Sequence, residues 1–188
     1  DFCVVPHAWG RRPFQKPIAH VVDDIRQHGA KNILFYDLNL LADFNYAREL
    51  FTALIPLKVK WFGLSTVLLG KDPELMALCA KSGCIGLLIG FETLSKENLI
   101  DCNKKFNSPE SYCILIRTLH SYNISVMGTF VFGNYHDSPE SFEEIADFVI
   151  EQKIDLPRFS ILTPFPGTGL FKRLEHEGRI ISRDWSLY

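Results

Sequence analysis

One pattern narrows what this chain can fold into more than any other. Short, nearly continuous apolar runs alternate with amphipathic stretches at helical spacing. The runs begin near residues 33, 60, 85, 125 and 158 (NILFYD, KWFGLST, CIGLLIGFE, ISVMGTFVFG and PRFSILTPF). Between them lie PIAHVVDDIRQHGA, DFNYARELFTALI, DPELMALCAKSG, SPESYCILIRTLHSYN and SPESFEEIADFVIEQKI. ENLIDCNKKF adds a helical piece, and GLFKRLEHEGR follows the last run. The punctuation agrees: Asp43 stands at an N-cap position, Pro73 in a first turn, Gly29 and Gly83 just past helix ends. A repeat of about thirty residues is one βα unit, and strands apolar throughout belong to a parallel sheet covered by helices.

The expected fold class is therefore α/β: an incomplete (β/α)6 TIM-like barrel with parallel strands. Five runs fall short of the eight of a closed barrel. The first strand is expected to be missing from this chain, preceding Asp1, and would make six. A doubly wound sheet is the second choice. No composition shift or long linker divides the 188 residues, so 1–188 reads as one domain, truncated at its start and at its end.

Composition excludes some partners. A net charge of −2 without blocks of like charge argues against a nucleic-acid surface or an anionic membrane. The longest apolar runs are far shorter than the ~20 residues that span a bilayer. No signal peptide is visible, and the compartment is read as cytoplasmic. The five cysteines, Cys3, Cys79, Cys84, Cys102 and Cys113, form no close pair and do not read as a disulfide framework. Four of them suit small buried hydrophobes. Cys3 differs because of its neighbours, His7, Trp9, Arg11 and Arg12.

In parallel α/β folds ligands bind at the carboxyl ends of the strands. Those ends carry Asp37 and Asn39, Ser65 and Thr66, Glu92 and Thr93, Thr129 with Gly128 and Gly133, and Thr163 with Pro164. Turns favour such residues anyway. Glu92 is harder to dismiss, because a carboxylate closing a buried apolar strand is costly unless something binds it. Two carboxylates and several hydroxyls on one rim suit a ligand bearing an ammonium and a ribose, and equally a metal ion or a sugar. His136 and Asp137 follow the fourth run on the same rim, where an N-cap role for Asp137 or Ser138 competes with substrate contact.

Several blocks resemble the radical S-adenosylmethionine (SAM) superfamily, in particular its branch with an upstream cobalamin-binding domain. DFC is similar to the end of that family's C-x3-C-x2-C motif, with Phe2 in the aromatic place and Cys3 as the third cysteine. FYDLNLLAD, IGLLIGFETLSKENL, GTFVFGNYHDSPESF and FSILTPFPGTGLFKRLEHEGRI resemble family blocks in the right order. The resemblance implies a [4Fe–4S] cluster held by three thiolates, leaving one iron open for SAM. It implies reductive SAM cleavage to a 5′-deoxyadenosyl radical that acts on an organic substrate, small or lipid-like. Cobalamin and an electron donor such as flavodoxin or ferredoxin are implied for the longer protein.

By the same resemblance Cys3 is a cluster ligand and Phe2 lies near the adenine. Asp37 and Asn39 face the SAM amino group, although the family's usual Gly-Gly-Glu is absent there. Ser65, Glu92, Thr129 and Thr163 complete the SAM-facing set. His7, Arg11 and His136 are candidates to face substrate. The motif's first two cysteines are absent from this chain, so it is not expected to hold a cluster by itself. Two other readings stay open: an α/β-barrel hydrolase or lyase using Asp37 and Glu92, and a non-catalytic SAM-binding fragment.

Overall fold

A computed structural model describes residues 2–8, 10 and 14–187. The elements run α1 (Val5–Ala8), α2 (Ile18–His28), β1 (Asn32–Leu34), α3 (Phe44–Leu54), β2 (Lys60–Ser65), α4 (Pro73–Lys81) and β3 (Cys84–Glu92). Next come α5 (Lys96–Asp101), α6 (Pro109–Ser121), β4 (Ser125–Phe132), α7 (Pro139–Glu151), β5 (Leu156–Ile161) and α8 (Gly169–His176). Five parallel strands pair in the order β1-β2-β3-β4-β5 and curl into a half-barrel. Strand order follows chain order with no reversal, which rules out the doubly wound alternative, whose order reverses at its centre.

The helices start where the sequence caps them. The Asp43 carboxylate accepts from Asn45 N and Tyr46 N, and Asp72 accepts from Leu75 N ahead of Pro73. Ser138 and Ser141 form a capping box on α7. Helices α3, α4 and α6 lay apolar stripes on the convex face of the sheet. Ala47, Leu50, Phe51 and Leu54 of α3, Leu75, Met76 and Cys79 of α4, and Tyr112, Leu115, Ile116 and Leu119 of α6 are all buried.

Strand residues alternate between that core and the concave face. Trp61 stacks on Phe51 with centroids 5.1 Å apart, and its indole N–H donates to Ser82 Oγ at 3.0 Å. Phe91 meets Tyr112 at 4.8 Å and Phe130 at 5.7 Å. Burial of such rings stabilises by about 1.5–3 kcal/mol each. Phe62, Leu64, Leu88, Gly90, Met127 and Thr129 alternate with these residues and line the concave face.

Candidate functional site

The alternation breaks near the start of β3, where pairing with β2 passes from Cys84 to Gly86, and again at its carboxyl end. Pairing passes from Gly90↔Thr129 directly to Glu92↔Phe130, so β3 bulges there. Phe91 turns wholly into the core, and Glu92 takes the left-handed backbone (φ 69°) rarely adopted by a residue with a side chain. The Glu92 side chain folds back across Gly90. A Cβ at Gly90 would sit 2.6 Å from Glu92 Oε1 and 3.7 Å from Thr129 Oγ1. Position 90 therefore has to be glycine for this approach, and Glu92 and Thr129 converge on one spot of the concave rim.

A bulge strips carbonyls of ladder partners, and other side chains take their place here. Asn107 Nδ2 donates to Gly90 O and to Phe91 O, both at 3.1 Å. The Tyr112 hydroxyl donates to Phe91 O at 2.9 Å; burial pushes that phenol up, which keeps it a donor. The Glu92 carboxylate, on a residue only 9% exposed, meets Lys104 Nζ at 3.1 Å. A buried carboxylate needs such a partner.

The Lys104 ammonium also lies 5.9 Å from the Phe2 ring centroid and 5.4 Å from that of Phe106. Phe2 in turn lines a small cavity with Asp101, Cys102, Asn134, Tyr135 and Arg173. Cys3 beside it is half-buried. Burial pushes the Cys102 thiol up, and its Sγ donates to Asn134 Oδ1 at 3.2 Å. Among the described residues no three His, Cys, Asp or Glu side chains form a group able to hold a metal ion.

The remaining candidates are scattered along the rim. Asp37 is exposed and lines a groove of about 410 Å³ with Phe14, Lys16, Tyr46 and Leu50, and Phe35 packs against the core. Asn39 Oδ1 accepts from Leu41 N at 3.0 Å, an Asx turn. Ser65 is buried in the same alternating row as Trp61 and Gly63. Thr163 Oγ1 donates to Ile161 O at 3.1 Å. His7 is exposed on α1, and Arg11 lies outside the described residues. His136 is exposed, with Nε2 3.2 Å from Asp101 Oδ2.

Asp137 is committed within the protein. Its carboxylate accepts from Gly133 N and Asn134 N at 2.8 Å and from Asn98 Nδ2 at 2.7 Å. Asn98, fully buried, also accepts from His136 N at 3.0 Å. The loop after β4, turning on Gly133 (φ 94°), is thus latched to α5. Ser138, not Asp137, caps α7.

The family described as the Radical SAM superfamily matches residues 1–149. The chain belongs to the radical SAM superfamily. Bacteriochlorophyllide d C-12(1)-methyltransferase of Chlorobaculum tepidum is 34% identical across 100% of this chain and 42% of its own length. Hopanoid C-2 methylase of Rhodopseudomonas palustris is 27% identical across 98% of this chain and 37% of its own. In three dimensions the chain resembles TsrM of Kitasatospora setae, a radical S-adenosylmethionine methyltransferase solved with tryptophan substrate and a SAM analogue. The TM-score is 0.83 at 20% identity, covering 96% of this chain and 36% of TsrM. TsrM has also been solved with cobalamin and a [4Fe–4S] cluster bound. This radical SAM chain thus spans less than half the length of the curated relatives it matches.

Family membership sets aside the hydrolase and lyase readings. Radical SAM enzymes use SAM and a [4Fe–4S] cluster, and the partial barrel is the expected one. Among the described residues no helix is long and apolar enough to cross a membrane. Sequence reasoning missed Lys104, Asn107 and Asn98. Lys104 sits in an unremarkable NKKFN between two helices, and only the tertiary fold brings it under Glu92. Asn98 carried one faint signal, an amide on the apolar side of a short helix.

Proposed function

We propose that residues 1–188 form the SAM-cleaving core domain of a cytoplasmic radical SAM enzyme that methylates or cyclises an organic substrate, small or lipid-like. Cobalamin would be held by another part of the full-length protein, and a flavodoxin- or ferredoxin-type protein would supply electrons. The observation that carries this reading is the convergence of Glu92 and Thr129 over Gly90, beside the Phe2–Cys3 segment. The substrate class is taken from the relatives. Their names give bacteriochlorophyllide, a hopanoid and magnesium-protoporphyrin IX monomethyl ester as substrates, and cytidylyl-2-hydroxyethylphosphonate for a fourth.

In this reading Cys3 gives one thiolate to the cluster and Phe2 lies beside the adenine. Glu92 faces the ribose or aminoacyl part of SAM, Asp37 and Asn39 face its amino group, and Thr129 and Thr163 lie on the adenine side, with Ser65 at the carboxyl end of β2. His7, Arg11 and His136 face the substrate. Cys3 alone does not make a cluster site, so the fit within the described residues is incomplete, and the other two thiolates are placed outside residues 1–188. Cluster and SAM together supply one-electron cleavage of a sulfonium, which is the cofactors' own chemistry. The chain's residues bind and orient: glycine at 90 lets the carboxylate lie flat on the sheet, and the apolar rows beneath keep water from the rim.

The full-length protein, reconstituted anaerobically with iron and sulfide, is expected to turn brown and to cleave SAM. A colourless protein that leaves SAM untouched overturns the proposal. Cys3→Ala should abolish the cluster, and a cluster retained in that variant would move the ligand elsewhere.

A further inference from the structure

We infer that Lys104 is a positioning residue that fastens the Cys3-bearing segment to the Glu92 rim, assembling two parts of the site through one ammonium. This rests on the proposal that Cys3 and Glu92 serve the same cofactor site. The Lys104 side chain is 24% exposed and that of Glu92 is 11%. An ammonium has three donors and a diffuse field, so one carboxylate at 3.1 Å leaves it able to attract aromatic faces. The Phe2 and Phe106 rings are both within the range of about 6 Å at which a cation is drawn to a ring.

The backbone under Lys104 is fixed on both sides. Its N–H donates to Leu99 O at 2.8 Å, and its carbonyl accepts from Asn107 N at 2.8 Å. Asn107 is the same residue whose amide holds the bulge carbonyls. The loop from Asn103 to Asn107 therefore grips β3 by its backbone and Glu92 by its charge. Through Phe2 this grip reaches the start of the chain next to Cys3. Lys105, one residue on, points elsewhere: it is exposed and lines an outer groove with Lys96, Ile100 and Glu110.

The test compares wild type, Lys104→Met, Lys104→Arg and Lys105→Met in the full-length protein before cluster loading, kept reduced. Alkylation by iodoacetamide is followed by mass spectrometry at Cys3, with Cys113, also half-buried but on α6, as internal reference. Lys104→Met should speed Cys3 alkylation roughly three- to tenfold while Cys113 stays unchanged. Lys104→Arg and Lys105→Met should stay near wild type. A faster reaction at Cys3 with Cys113 unchanged reports a freed segment. The inference fails if Cys3 is no faster in Lys104→Met, if Cys113 speeds up equally, if Lys105→Met has the same effect, or if arginine does not rescue. A wild-type protein that takes up neither iron nor SAM overturns the proposed function, while the alkylation rates still judge Lys104.

Discussion

Glu92 occupies a backbone conformation that its own side chain disfavours, at φ 69°, and the surroundings hold it there. Lys104 fixes the carboxylate, and Asn107, Tyr112 and the Thr93 amide satisfy the carbonyls just before it. Strain of this kind costs about 1–3 kcal/mol and collects where a side chain has to be aimed. Removing the side chain therefore has two separable effects. Glu92→Ala loses the ion pair and keeps the strain, whereas Glu92→Gly loses the ion pair and relieves the strain. The glycine variant should be the more stable of the two by about 1 kcal/mol in thermal or denaturant unfolding. Equal stabilities would mean the left-handed turn is not strained. The rim position of Glu92 was legible as a carboxylate closing an apolar run. Its conformation and its partner were not, because a one-residue bulge and a lysine twelve positions later leave no periodic trace.

Most elements were legible because hydrophobic period and caps agreed, and the departures lie where pairing or backbone geometry decides. NILFYD reads as a strand through Asp37, yet β1 ends at Leu34. It is an edge strand among the described ones, so only β2 holds it, and Phe35 N to Phe62 O at 2.9 Å is its last bond there. ENLIDCNKKF reads as one helix, yet α5 stops at Asp101 because Asn103 turns left-handed (φ 56°) and the Lys104 amide bonds back to Leu99 O.

At the opposite end of the barrel three elements meet at Asp155. The His120 Nε2 of α6 lies 2.9 Å from Asp155 Oδ2, and Val126 N of β4 donates to it at 2.7 Å. Burial alone would raise this carboxyl, but the amide and the imidazole hold it below the usual range. A depressed carboxyl adds stability above its unfolded pKa of about 3.9, lost as pH falls through the folded value. Wild type should therefore lose this contribution only below about pH 4. Asp155→Asn should lack that acid-side slope and be about 1 kcal/mol less stable at neutral pH, a modest figure because the carboxylate is half-exposed. Urea unfolding between pH 3 and pH 7 checks both.

Across the whole molecule the two faces of the sheet are unlike. Helices bury the convex face over β2 to β4 and leave it open at β5, where Phe159 is 52% exposed, whereas on the concave side Leu34 is 50% exposed and Leu156 51%. An open apolar surface of this kind should take up an environment-sensitive dye. The folded chain is therefore expected to enhance anilinonaphthalene sulfonate fluorescence before any thermal transition, and Leu88→Glu at the centre of that face should suppress it. No enhancement below the melting temperature would show the face to be covered in solution.

Because the order of strands in space repeats their order in the chain, no strand is wedged between partners from distant parts of the sequence. Each βα unit leans on the one before it, and each contributes its own loop to the rim. Glu92, Lys104 and Asn107 all belong to a single such unit. A change in a neighbouring loop can then alter what the rim receives and leave this carboxylate, its counter-charge and the amide that aims it together as one cassette.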